Sequence, residues 1–76
     1  MPRYFFSLDF SEETIADPDG GEASDLNAAR DDARAAIREI AAQYLKAGIQ
    51  LTLISITICD SDNRELAKVT TGEALD

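Results

Sequence analysis

The segment from residue 25 to residue 47, DLNAARDDARAAIREIAAQYLKA, constrains the fold most, because no other segment is as long and as regularly periodic. At about 100° per residue, apolar side chains three or four positions apart fall on one stripe of a helix. The stripe consists of Leu26, Ala29, Ala33, Ile37, Ile40 and Tyr44. Ser24 or Asp25 is expected to cap the N-terminus of the helix, and Gly48 to end it in a left-handed conformation. A helix with one apolar face needs a sheet to cover that face.

Three arginines occupy every fourth position of this helix and form a row beside the apolar stripe: Arg30, Arg34 and Arg38. Like charges four residues apart repel by roughly a few tenths of a kcal/mol per pair, so opposite charges usually offset them. Carboxylates of this chain or of a second copy are one expected source. The alternative is a site for an anion or an acidic partner, built from these three side chains.

Four further segments have the composition of strands: residues 3–10, 14–16, 51–59 and 64–70. The first and third are rich in aromatic or β-branched residues, and turn residues separate the last two. The chain therefore predicts one α+β domain over residues 1–76, in the order ββαββ. We expect a small antiparallel sheet with strand order 2-1-3-4 and the long helix across one face. The last six residues are expected to fray or to form one short turn.

The predicted sheet has a second face that no helix covers. Alternation along the third strand places Ile54, Ile56 and Ile58 under the helix. The bare face would then present Phe5, Leu53, Thr57 and Cys59, which is a partly apolar surface. Such a surface predicts that two sheets meet in a homodimer or that a protein partner covers this face.

Composition excludes several classes of function. The chain has 76 residues and a net charge of −8, with six acids and no base between residues 9 and 22, so nucleic-acid binding is not expected. The N-terminal segment lacks the apolar region of a secretory signal, and no run approaches the roughly 18 apolar residues of a membrane span. Together with a single cysteine, these features predict a cytoplasmic protein that does not bind membranes.

Catalysis, metals and cofactors are not expected either. The chain contains no histidine, and its serine hydroxyls have no evident base beside them. Cys59 precedes an aspartate that would raise the pKa of its thiol, so we interpret it as a small packed hydrophobe. Residues 17–22 and 60–63 match the first positions of a calcium loop, but Glu22 and Ala28 stand where that loop requires glycine and glutamate. We interpret both segments as turns.

Several short motifs occur together in this chain. They are the opening Met-Pro-Arg-Tyr-Phe-Phe, the run Asp17-Pro18-Asp19-Gly20-Gly21-Glu22, the helix entry Asp25-Leu26 with Ala29-Arg30, and the closing strand pair. In these features the chain resembles a family of small uncharacterised bacterial domains of unknown function. The resemblance covers nearly the whole chain and implies the same layout and a cytoplasmic location, but no activity. Relatives commonly carry Pro-Phe after the last valine, whereas here Val69 is followed by Thr70 and Thr71.

These observations predict a small non-catalytic module that self-associates or binds a protein partner in the bacterial cytoplasm. The alternative is a small binder of anions or metabolites that uses the arginine row. The first prediction requires an oligomer or a partner protein. The second requires that an anion stabilise the fold through Arg34.

Overall fold

The computed structural model describes residues 2–76 and has the predicted α+β architecture. Within that range the elements in chain order are β1 Arg3–Phe10, β2 Thr14–Ile15, β3 Gly21–Glu22, α1 Leu26–Ala47, β4 Leu53–Cys59, β5 Glu65–Thr70 and α2 Thr71–Leu75. Neither of these helices is both long enough and apolar enough to cross a membrane.

The strands form one antiparallel sheet in the order β2-β1-β4-β5, with β3 paired to the other end of β1. The four predicted strands thus have the predicted order, and β3 is an addition to it. Its origin is the length of β1: β2 pairs only with Leu8 and Asp9, which leaves Arg3 and Tyr4 free to pair with the chain as it returns through β3. A sequence rich in turn residues therefore contains a short strand that its composition did not predict.

Helix α1 begins and ends where its capping residues predict. Asp25 is the N-cap, and its carboxylate accepts a hydrogen bond from the backbone N–H of Ala28 at 2.8 Å. Gly48 adopts a left-handed conformation with φ of 71° and donates its N–H to the carbonyl of Leu45. Both groups satisfy backbone atoms that have no partner within a helix, so the ends of α1 are determined locally.

The core lies between α1 and one face of the sheet. Its buried residues are Tyr4, Ala23, Ala29, Ala33, Ile37, Leu53, Ile56, Ile58, Ala67, Val69 and Ala74. Ala29, Ala33 and Ile37 are the buried residues of α1, and this helix contacts both β4 and β5. Burying one such large aliphatic side chain contributes about 1.5–3 kcal/mol.

A β-bulge in β4 corrects the predicted faces of that strand. Asp9 is opposite Ser55 and Phe10 is opposite Leu53, so Ile54 is an extra residue without a partner on β1. An extra residue reverses the alternation of side chains beyond it. Leu53 is consequently buried in the core at 4% exposure, whereas Ile54 is 54% exposed. The prediction that Leu53 lies on the bare face is wrong, as is the prediction that Ile54 lies under the helix.

The C-terminal segment is an ordered short helix. Thr70 caps α2 by accepting a hydrogen bond from the N–H of Glu73, whose carboxylate accepts one in return from the N–H of Thr70. This reciprocal pair is a capping box. Ala74 is buried against the core, and the hydroxyl of Thr71 donates to the carbonyl of Leu53. Of the two predicted outcomes for the last six residues, the structure therefore has the short turn, held by a capping box and by the buried Ala74.

Candidate interaction surfaces

The arginine row of α1 is directed largely at the chain itself. The guanidinium of Arg34 contacts the carboxylates of Asp31 at 2.7 Å and Glu73 at 3.4 Å. Nε of Arg38 donates to the carbonyl oxygen of Ala74 at 3.0 Å, which satisfies an acceptor at the end of α2. The opposite charges expected near the row thus come in part from within the chain. An anion site formed by these residues and by Arg30 stays a prediction.

The face of the sheet away from α1 is more polar than predicted. Of the side chains expected there, Phe5, Thr57 and Cys59 are half-buried, and the ring of Phe5 packs so closely over Gly20 that an added Cβ would lie 2.9 Å from it. The centre of the face is a hydrogen-bonded cluster around Asp9. A homodimer through this face stays a prediction, but Leu53 does not contribute to it.

Asp9 joins three strands across this open face. Its carboxylate accepts hydrogen bonds from the hydroxyls of Thr57 at 2.6 Å, Ser55 at 2.8 Å and Thr14 at 3.2 Å. Partial burial by itself raises the pKa of Asp9, but these three hydrogen bonds, with a smaller contribution from Lys68, outweigh it and lower the pKa below its ordinary value. The cluster is a structural clamp, in which the hydroxyls donate to a carboxylate that stays ionised.

The thiol of Cys59 is not activated. Burial is the largest cause that raises the pKa of this thiol, and the negative charges of Glu65, Asp60 and Asp9 raise it further. A thiol needs a nearby positive charge to form the reactive thiolate at neutral pH. These contacts agree with the interpretation of Cys59 as a packed side chain.

Asp17 anchors the loop between β2 and β3. One carboxylate oxygen accepts the N–H groups of Asp19 and Gly20, and the other accepts the N–H of Phe6 at 3.1 Å. That N–H lies on the edge of β1 between the parts that pair with β2 and β3. Desolvation raises the pKa of Asp17, but the backbone hydrogen bonds, helped by Arg3, outweigh it and lower the pKa.

The second acidic turn, residues 60–63, is also held by a carboxylate. An oxygen of Asp60 accepts the N–H groups of Asp62 and Arg64 at 2.9 Å each, and Asn63 has a φ of 65°. Residues 60–63 form a turn, as predicted, whereas residues 17–22 turn only as far as Gly20 and end in β3 at Gly21–Glu22. Across residues 2–76, no three side chains of the types His, Cys, Asp and Glu come together as a potential metal site.

The two most exposed large apolar side chains, Leu45 and Ile49, lie at the C-terminal end of α1. Leu45 is 82% exposed, Ile49 is 58% exposed, and Leu75 of α2 is 50% exposed. They share one open groove, which we call the helix-end surface. Its lining residues are Ala41, Tyr44, Leu45, Ile49, Leu51 and Leu75. Exposure of these apolar groups to water is unfavourable in free energy, and burial against a partner would remove that exposure.

An acidic depression adjoins the helix-end surface. Its lining residues are Phe10, Ser11, Glu12, Glu13, Ile15, Tyr44 and Thr52. Tyr44 lines both concavities, so the two are adjacent. We call Glu12 and Glu13 the acidic rim. Both are exposed, and neither forms a salt bridge with a cation in the described part of the chain.

Sequence reasoning missed the helix-end surface, although signals for it exist. Residues 40–54 contain one charged residue, Lys46, which is an unusually apolar run for a helix end and its connection. Leu45 is one position from Tyr44, so it projects about 100° away from the apolar stripe. An apolar side chain off the stripe, followed by Ile49 in the connection, indicates a second apolar surface. The part played by Leu75 depends on α2 and has no local signal.

Comparison with known proteins identifies a family of unknown function. The sequence model of a family described as Domain of unknown function (DUF6894) matches residues 3–72. No curated protein matches the chain. No solved structure matches it either.

Proposed function

This chain belongs to the DUF6894 family, a domain of unknown function, and we propose that it is a non-catalytic protein-interaction module. The family indicates no activity, so the proposal rests on the exposed side chains of the structure. One observation supports this most: three large apolar side chains, Leu45, Ile49 and Leu75, are each at least half exposed in one groove. Exposed apolar residues scattered singly are ordinary, but a contiguous group favours a contact site.

The condition of the reactive side chains supports a role without catalysis. Ser55 and Thr57 donate their hydroxyl hydrogens to Asp9, which also accepts one from Thr14. The lowered pKa of Asp9 makes its carboxylate a weak base. Nucleophilic catalysis needs a hydroxyl or thiol activated by a base or a lowered pKa. The raised pKa of Cys59 opposes that activation.

The helix-end surface is a better contact site than the open sheet face. The sheet face has Asp9 and its hydroxyl partners at the centre, and the loop at Gly20 covers part of Phe5. Polar groups already bonded to each other gain little from a partner, whereas Leu45 has most of its surface still to bury. The partner is expected in the cytoplasm, which one free cysteine favours.

A site-specific photo-crosslinker tests this proposal. Benzoylphenylalanine in place of Ile49 is expected to give a discrete protein adduct in the native cells. The same group in place of Asp32, an exposed residue on the opposite flank of α1, is expected to give none. Adding Leu45→Ser to the Ile49 variant should abolish the adduct, because the apolar contact is lost. Adding Glu39→Ser, on the flank of Asp32, should leave it intact.

The outcome that contradicts the proposal is also specific. If Ile49 and Asp32 positions give the same adducts, or Ile49 gives none, the helix-end surface is not a contact site. The anion-binding alternative is not favoured by any contact of Arg34 or Arg38, both of which have partners within the chain.

A further inference from the structure

We infer that the partner's contacting segment is cationic and amphipathic, with apolar side chains for the helix-end surface and Lys or Arg side chains for the acidic rim. This inference rests on the proposed function and adds the chemistry of the partner. It is carried by the adjacency of an apolar groove and an acidic depression, which share the lining residue Tyr44.

The apolar half of the surface can receive the apolar side chains of the partner. Leu45 is on the last turns of α1, Ile49 follows the Gly48 cap, and Leu75 ends α2. These residues come from three separate parts of the backbone, so the groove between them has walls on more than one side. A helix or strand with one apolar face can place side chains into such a groove.

The acidic rim sets the charge of the partner. Glu12 and Glu13 lie beside Ile15 and Tyr44, and no base of residues 2–76 pairs with either carboxylate. Lys46, the base nearest to Tyr44 in sequence, is exposed and projects about 160° around α1 from Tyr44. A cation placed over this rim therefore meets uncompensated negative charge.

The charge of the whole molecule argues against a second copy as the occupant. Each copy has a net charge of −8, and pairing two helix-end surfaces would bring two acidic rims into one contact. Charges of the same sign placed opposite one another oppose association and favour a partner of opposite sign. A basic segment gains from both the groove and the rim.

Synthetic peptides test the inference directly. We would use a labelled Leu/Lys peptide with an amphipathic helical pattern, a Leu/Glu peptide with the same pattern, and a scrambled Leu/Lys peptide. Binding is measured by fluorescence anisotropy at about 0.15 M salt, where the Debye length is about 8 Å. Only the patterned Leu/Lys peptide should bind, and amide NMR shifts should move at the helix-end surface and the rim.

Matched variants separate local from general effects. Leu45→Ser should weaken binding by at least about tenfold, because a buried leucine is lost. Glu12→Gln with Glu13→Gln should weaken it by about three- to tenfold, since two exposed charge pairs are lost. Asp32→Asn with Glu39→Gln changes the net charge equally, from −8 to −6, and should have no comparable effect.

Each contrary result overturns the inference in a different way. Equal weakening by the two charge variants would mean attraction by net charge and not by the rim. If the scrambled Leu/Lys peptide binds as tightly as the patterned one, the partner's segment does not need an amphipathic pattern, and the inference fails. If light scattering shows a dimer and Leu45→Ser dissociates it, the helix-end surface binds a second copy of the chain. A crosslinked partner whose contacting segment is acidic or uncharged would overturn the inference and leave the proposed function standing.

Discussion

Asp17 is a key residue for this fold, because its carboxylate accepts hydrogen bonds from three backbone N–H groups. Two of them belong to its own turn, and the third, from Phe6, is 11 residues away on β1. The edge of β1 changes partner at this point, from β2 to β3, and would otherwise leave that N–H without an acceptor. The side chain thus completes the sheet where the backbone does not.

Replacing Asp17 by alanine should destabilise the protein by about 1–3 kcal/mol, the usual cost of leaving a partly buried donor unsatisfied. Urea denaturation monitored by circular dichroism measures the change. Asp19→Ala is the matched control two residues away, since its carboxylate has no hydrogen bond within residues 2–76. Equal losses for the two variants would show that Asp17 acts only through turn propensity or charge.

Among the elements, α2 makes several distinct contacts for a helix of five residues. It provides Glu73 and the carbonyl of Ala74 to Arg34 and Arg38, so it offsets repulsion within the arginine row of α1. It also buries Ala74 and brings Leu75 to the helix-end surface. A helix this short is unstable alone, and the capping box with its core contacts holds it in place.

Thr70→Ala should loosen α2, because it removes the hydroxyl that accepts the N–H of Glu73. Loss of an N-cap costs about 0.5–2 kcal/mol. Amide hydrogen exchange from residue 72 to residue 75 is expected to accelerate, while exchange in α1 changes much less. Thr70→Ser keeps the acceptor and should restore the protection. Unchanged exchange in the alanine variant would mean that core contacts alone hold α2.

At the scale of the whole molecule, two carboxylates couple the stability of the sheet to pH. The pKa values of Asp9 and Asp17 are lowered in the folded state by hydrogen bonds that outweigh desolvation. A group whose pKa is lower when folded stabilises the fold above its unfolded pKa, about 3.9 for aspartate. That stability is lost as the pH falls through the folded pKa, when the carboxylate takes up a proton.

Asp9→Asn should therefore destabilise the protein at pH 7 and have a diminishing effect as the pH is lowered from about 5 towards 3. The measurement is the difference in free energy of unfolding between the two proteins at each pH. Asp32→Asn, which removes an exposed carboxylate, controls for the change in net charge. A difference that is constant over this range would refute the contribution of Asp9 ionisation.

The sequence by itself determined the parts of this protein that depend on local chemistry. The extent of α1 follows from Asp25, Gly48 and a periodic apolar stripe, and the turns follow from Asp17 and Asp60. The order of the four predicted strands was also predictable, because short connections pair β1 with β2 and β4 with β5, and two such hairpins permit few arrangements. The helix ends and the turns need no knowledge of distant residues.

Only the tertiary structure decided which surfaces are exposed. The bulge at Ile54 depends on how β4 pairs with β1, and it moved Leu53 from the predicted open face into the core. The partners of Arg34 and Arg38 come from α2, more than 30 residues further along the chain. The helix-end surface likewise needs Leu75 beside Leu45. Contacts between such distant residues depend on packing, and local spacing in the sequence does not encode them.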